Sequence, residues 1–214
     1  MKERPMIFNA EMVRAILDGR KTQTRRIMKP QPTPCTLQKG GHWWPSNVFK
    51  TMLHIEEEMQ NGKGCWGGLV GDACPFGDVG DRIWVREAWG QYRVAPEGVV
   101  YRADEKLPCG APERWRPSIH MPRWASRITL EITGVRVERL QSISDEDVDA
   151  EGFAGDYPTS ALPALFPGEP SDWSHLSMRD CYGVLWKSIY GEESWQSNPW
   201  AWVIEFKRIE GGAA

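Results

Sequence analysis

Gly19-Arg20-Lys21-Thr22-Gln23-Thr24-Arg25-Arg26 gathers cations and hydroxyls in a run without an acid, directly after an amphipathic segment. In that segment, residues 10 to 18, Met12, Val13, Ile16 and Leu17 recur at helical spacing, and Gly19 stands where a helix commonly ends in a residue of positive φ. The spacing predicts a helix that stops at Gly19 and an extended chain beyond it. Extension puts Lys21, Gln23 and Arg25 on one side and Thr22, Thr24 and Arg26 on the other. The residues alone leave two readings open. One is a solvated basic strand edge. The other is an anion or nucleobase site, with a hydroxyl activated by cations gathered beside a helix terminus.

Around this stretch the chain alternates regular and irregular parts. Met6-Ile7-Phe8 reads as an entry strand. The prolines at 30, 32 and 34 remove ladder donors and open an insertion over about 30–77, expected to be irregular apart from one short helix or hairpin. A Gly80-Asp81 turn feeds the alternating strand Arg82 to Glu87, and residues 99 to 102 read as a strand nearby. Ile128, Leu130 and Ile132 alternate with Thr129, Glu131 and Thr133 in a half-buried strand, with a bulge expected at Gly134. Ser144 caps a short acidic helix that Gly152 closes, leaving Glu151 at its end. Residues 153–177 read as a second insertion. A helix over 179 to 189 is expected to serve packing, with Val184, Leu185 and Ile189 as its apolar side, and Trp202, Ile204 and Phe206 mark a closing strand.

Composition limits the function. The chain of 214 residues suits a single domain spanning 1–214, and a net charge of −3 excludes a global basic field, so any nucleic-acid contact must be local. No apolar run approaches the ~20 residues that cross a bilayer, and the first residues lack the apolar core of a signal peptide, so no membrane partner and a cytoplasmic location are expected. Five cysteines without a CxxC agree with a reducing compartment; four of them, Cys35, Cys65, Cys74 and Cys109, are spaced too irregularly to favour a zinc site over free thiols. Neither metal nor cofactor is expected. Twelve tryptophans either fill a core or stack bases. The segment from Arg114 to Arg127 interleaves arginines with aromatics, the pattern of a single-stranded nucleic-acid surface built on Arg116, Arg123, Trp115 and Trp124; its alternative is a proline-fixed loop whose tryptophans tuck inward.

The pattern Gly19-x-Lys21-x-x-Thr24-x-Arg26 resembles the signature of the ASCH domain, a β-barrel of the PUA-like superfamily associated with RNA. The resemblance is sharp over residues 5 to 29, weaker over 78 to 90, 125 to 152 and 199 to 209, and does not cover the insertions. It implies an α+β fold: a PUA-like mixed β-barrel flanked by short helices, here with long irregular insertions of the kind seen in phage and prophage ASCH proteins. The usual pattern has Glu where this chain has Thr24. The threonine version resembles small bacterial N(4)-acetylcytidine amidohydrolases, in which lysine, threonine and a distant glutamate form the catalytic set. By that resemblance the set here is Lys21, Thr24 and Glu151, and the substrate-binding neighbours expected around it are Arg20, Thr22, Arg26 and Arg86.

Three functional classes follow. An amidohydrolase acting on a modified cytidine ranks first, because Thr24 replaces the usual acid. A non-catalytic RNA-binding module and a metal-independent ribonuclease are the alternatives, so the expected partner is a modified nucleoside or RNA. An ordinary lysine is almost wholly charged at neutral pH. Lys21 would therefore need burial and cationic neighbours to act as a base, and if it stays charged it becomes an oxyanion partner instead.

Overall fold

The computed structural model describes residues 1–36, 40–60, 68–92, 98–104, 112, 114–153 and 177–209. Its centre is a five-stranded sheet of β1 (Glu3–Ile7), β2 (Gln23–Ile27), β6 (Arg82–Arg86), β9 (Thr129–Arg139) and β10 (Trp200–Ile209), in the order β1-β6-β9-β10-β2. β1 and β6 are parallel, and every other pair is antiparallel. The fold is α+β, as expected, but the expected barrel does not close among the described residues. β1 and β2 remain edges of the sheet. Pro5 lies within β1 and offers no backbone donor, which suits an edge strand. The two edges meet instead through a side chain, Arg26 Nη2 donating to the Ile7 carbonyl at 2.6 Å.

Between those edges in sequence lies α1 (Ala10–Leu17). Asn9 caps its start by accepting from the Met12 amide, and Gly19, at φ 76°, ends it where the periodicity places the stop. Val13 and Ile16 of its apolar stripe are buried in one core cluster with Ile83, Leu130, Trp202 and Phe206 of the sheet. β9 is the expected strand, and its register against β10 shifts between Glu205 and Phe206, skipping Thr133. That bulge explains the burial pattern. Leu130 and Ile132 face the core before it, Val135 and Val137 after it, and the one-residue slip keeps both pairs on one face.

The stretch 30–77 differs from the irregular excursion expected of it. β3 (Thr33–Pro34), β4 (His42–Ser46) and β5 (Thr51–His54) form a three-stranded antiparallel sheet, followed by the one-turn helices α2 (Ile55–Glu58) and α3 (Val70–Ala73). Trp44, Leu53, Ile55, Met59 and Val70 join the main core, and the Trp44 ring meets Trp202 edge to face at 5.4 Å. The prolines do not prevent this because Pro34 sits on the edge strand and Pro30 and Pro32 lie outside strands. Cys74 is buried here, which pushes its thiol up to about 11. Cys65 and Cys109 lie outside the described residues.

A second, smaller core gathers under α4 (Asp145–Ala150), α5 (Met178–Tyr190) and α6 (Glu192–Gln196), from Leu140, Ile143, Val148, Phe153, Tyr182 and Trp186. Most of the expected second insertion, residues 154–176, lies outside the described residues. Among the described residues no helix is long and apolar enough to cross a membrane. The remaining strands, β7 (Trp89–Gln91) and β8 (Val99–Tyr101), form an antiparallel pair.

Candidate active site

Chain entering β2 after Gly19 is tied to the end of α4 by backbone. Lys21 and Glu151 form an isolated antiparallel bridge, and the Thr22 amide donates to the Ala150 carbonyl at 2.8 Å. Gly152, at φ 89°, makes this approach possible. A Cβ there would stand 2.9 Å from Lys21 Cβ and 3.0 Å from Ala15 Cβ. Gly152→Ala is therefore expected to cost about 1–3 kcal/mol of stability, from strain and overpacking together. Thermal unfolding beside wild type checks it, and an unchanged midpoint would refute the claim of close approach.

The bridge brings two residues 130 positions apart into contact. Lys21 Nζ donates to Glu151 Oε2 at 2.5 Å and to the Glu151 carbonyl at 2.8 Å, with the side chains 1% and 6% exposed. Burial lowers the Lys21 pKa below its ordinary value; pairing with Glu151 opposes this, and Arg26 and Arg25 add to the lowering. Its folded value thus lies below the unfolded 10.5. Between the two values the unfolded chain binds the extra proton, so stability rises with pH across that window. The unfolding midpoint of wild type relative to Lys21→Met should climb as pH approaches 10.5. A relative fall would show that Glu151, and not burial, dominates.

Behind the pair stands a charge network that the sequence reading did not anticipate. Arg25, with a fully buried side chain, donates from Nη2 to Asp147 Oδ2 at 2.8 Å and Glu138 Oε2 at 3.1 Å, and its Nη1 lies 3.8 Å from Glu151 Oε1. Arg136 binds the other sides of Asp147 and Glu138 at 2.6 and 2.5 Å, and also Glu205 and Gln23. Burial works against the charge of Asp147, yet Arg25 and Arg136 hold its carboxyl below the usual range. The network fixes α4 to β2 and so fixes where Glu151 stands.

Lys21, Thr24 and Glu151 all line one cavity of about 270 Å³, together with Arg20, Arg25 and Arg26. Arg20 is anchored to Asp18 and the Gly152 carbonyl, at 2.9 and 3.0 Å. The Arg26 guanidinium lies over the Phe8 ring, 5.2 Å from its centroid. Side chains from both faces of β2 reach the cavity, because β2 is an edge strand and both faces are covered: Gln23, Thr24 and Arg25 are all buried. Two residues expected at the site are not brought to it. Thr22 is exposed and outside the cavity lining. Arg86 lies elsewhere, bonded to the Met121 carbonyl and stacked over Trp84.

The opposite wall is α5. Tyr182, Leu185, Trp186, Ile189 and Tyr190 line the cavity, so this helix has more than the packing role read from its apolar residues. The available signal was the aromatic series at 182, 186 and 190, four residues apart and hence on one helical face. Burial keeps the Tyr182 hydroxyl protonated, its pKa pushed well above the ordinary tyrosine value.

The arginine-tryptophan segment forms a separate face. It folds into two short 3-10 turns, Ser118–His120 and Arg123–Ala125. Arg116 stacks over Trp89 at 4.9 Å, Trp124 meets the same ring edge to face at 5.7 Å, and Arg123 reaches Glu3 at 3.1 Å. Trp115 and Arg116 line a groove with Arg114 and His120, while Trp124 is 65% exposed.

No family model matches this sequence, and no curated protein or solved structure is significantly similar to it.

Proposed function

We propose that this protein hydrolyses an acyl group from the exocyclic amine of a modified cytidine, an amide of the N(4)-acetylcytidine type, in an ASCH-like domain. The observation that carries the reading is the buried Lys21–Glu151 pair, 2.5 Å apart, in one small cavity with Thr24. A free alcohol is a weak nucleophile and needs a base. One proton moving from the Lys21 ammonium to Glu151 gives a neutral amine and a protonated acid. Burial favours the neutral Lys21 amine, and Arg26 and Arg25 disfavour its ammonium further.

In this state Lys21 accepts the Thr24 proton as Thr24 Oγ1 bonds to the acetyl carbon. Arg26, which lines the cavity, is the cationic partner for the oxyanion. The C–N bond then breaks, and Glu151 gives its proton to the departing cytidine amine. The acetyl group is left on Thr24 beside an ammonium and a carboxylate, the pair as first found. Water next adds to the ester, one of its protons passing through that pair to the Thr24 oxygen, and the acetyl group leaves as acetic acid, which ionises in solvent.

Incubation with N(4)-acetylcytidine, with cytidine release followed chromatographically, tests the reading. Release is expected; its absence from folded protein would overturn the nucleoside reading and direct attention to RNA cleavage and binding. One observation favours a second activity on the other face. Trp124 is 65% exposed beside arginines 116 and 123, an arrangement suited to stacking a base of single-stranded RNA. Trp124→Ala should weaken binding of an RNA oligonucleotide about fivefold or more, read by fluorescence anisotropy.

A further inference from the structure

α4 and the residue that caps its end carry two carboxylates one turn apart, Asp147 and Glu151, and the buried guanidinium of Arg25 lies beside both. Its contacts with them are unequal. Asp147 Oδ2 accepts from Arg25 Nη2 at 2.8 Å, and Glu138 Oε2 of β9 accepts from the same nitrogen at 3.1 Å. Arg25 Nη1 lies 3.8 Å from Glu151 Oε1, and among the described residues neither of these two buried atoms has a hydrogen-bond partner.

A buried donor and acceptor ordinarily pair, and a shift of about 1 Å would close this gap. Something must hold the two apart. The hold comes from the acids on Nη2, because Arg136 grips the other oxygens of Asp147 and Glu138 at 2.6 and 2.5 Å and fixes both carboxylates against β9. Keeping the gap open has a consequence for charge. A carboxylate that accepts a guanidinium hydrogen bond is held ionised, whereas one beside the cation but unbonded takes up a proton more readily. Glu151 Oε2 meets Lys21 Nζ at 2.5 Å, so the proton concerned is that of Lys21. Tyr182 of α5 also interacts electrostatically with Glu151 and stays neutral, and Arg26 adds its charge on the Lys21 side.

We propose that Asp147 is a positioning residue, which holds Arg25 off Glu151 and so sets the proton affinity of the Lys21–Glu151 pair. The catalytic consequence rests on the hydrolase reading, because there Glu151 must take and return a proton; the tuning of the pair does not rest on it. Without the Asp147 charge, Arg25 closes on Glu151. Lys21 then shares its counter-charge with a guanidinium that has also come nearer. Both changes lower its proton affinity, since Glu151 raises the Lys21 pKa and Arg25 lowers it.

The carbon-13 resonance of Lys21 Cε, assigned by its loss in Lys21→Met and followed through a pH titration, reads that affinity without turnover. Asp147→Asn is expected to move the Lys21 midpoint down by about 1 pH unit or more. Glu138→Gln, which removes the longer of the two contacts, should move it the same way by less, and Asp147→Glu should restore it. In hydrolysis of N(4)-acetylcytidine, Asp147→Asn should lower kcat about tenfold or more with KM unchanged, the equivalent of one unit of proton affinity, and Asp147→Glu should recover it. An unchanged Lys21 midpoint in folded Asp147→Asn, or a shift that Asp147→Glu does not reverse, would overturn the proposal. Should Asp147→Asn not fold, an unchanged midpoint in Glu138→Gln does so equally. Hydrolysis by wild type, with a Lys21 midpoint indifferent to Asp147, would leave the hydrolase reading standing and this one fallen. An Asp147-dependent midpoint without hydrolysis would do the reverse.

Discussion

Thr24→Ala is expected to abolish release of cytidine from N(4)-acetylcytidine, by at least ~10³-fold in kcat, while the protein remains folded. Thr24 is buried in β2, paired in register with Ile204, and removing its hydroxyl takes away one polar group without disturbing that ladder. Lys21→Ala should lose activity on the same scale, because it removes both the base and the partner that holds Glu151. The two losses should not add. A double variant no slower than either single one would show that the residues act as a unit, whereas independent, multiplying losses would place Lys21 outside the Thr24 chemistry. Retained activity in Thr24→Ala would remove the acyl-threonine intermediate altogether.

Arg25→Met carries the largest expected effect on stability, about 3 kcal/mol or more. Breaking a buried ion pair by removing one partner costs ~3–5 kcal/mol, because the other charge stays uncompensated. Here the groups that lose Arg25 are Asp147, 19% exposed, and Glu138, 26% exposed; Arg136 still holds both and Lys21 still holds Glu151, so the lower end of that range applies. Urea unfolding with an unchanged m-value checks the figure. Adding Asp147→Asn to Arg25→Met should cost less than Asp147→Asn costs in wild type, since the 2.8 Å pair is already broken. If the double variant is as unstable as the two single losses summed, the network is not electrostatically coupled as described.

The parts of the site differ in how far they were legible in the residues. Lys21, Thr24 and Glu151 were each singled out from the sequence, and the structure gathers them in one cavity. Their neighbours were harder to read. Thr22 and Arg86 lie close to the motif in sequence or in pattern, yet one faces outward and the other is bonded to Met121. Arg25 looked like one more cation of a basic run. It became the centre of an ion network only because β9 and α4 deliver Glu138 and Asp147 to it from more than 100 residues away.

What the sequence by itself determined is local. The stop of α1 at Gly19, the Ser144 cap, the turn at Gly152 and the alternation and bulge of β9 depend on interactions within a few residues, so periodicity and caps suffice to read them. What only the tertiary structure decided is which surfaces meet. Among the described residues, an open sheet in place of a closed barrel depends on whether two edges 20 residues apart find each other's backbone, and here an arginine side chain joins them instead. The sheet built from residues 33–54 depends on a core offered by Trp202, far along the chain. The conversion of α5 from packing helix to cavity wall depends on what lies opposite it. Each of these is a long-range burial choice, in which several apolar faces compete for the same partner, and local pattern carries no information about the winner.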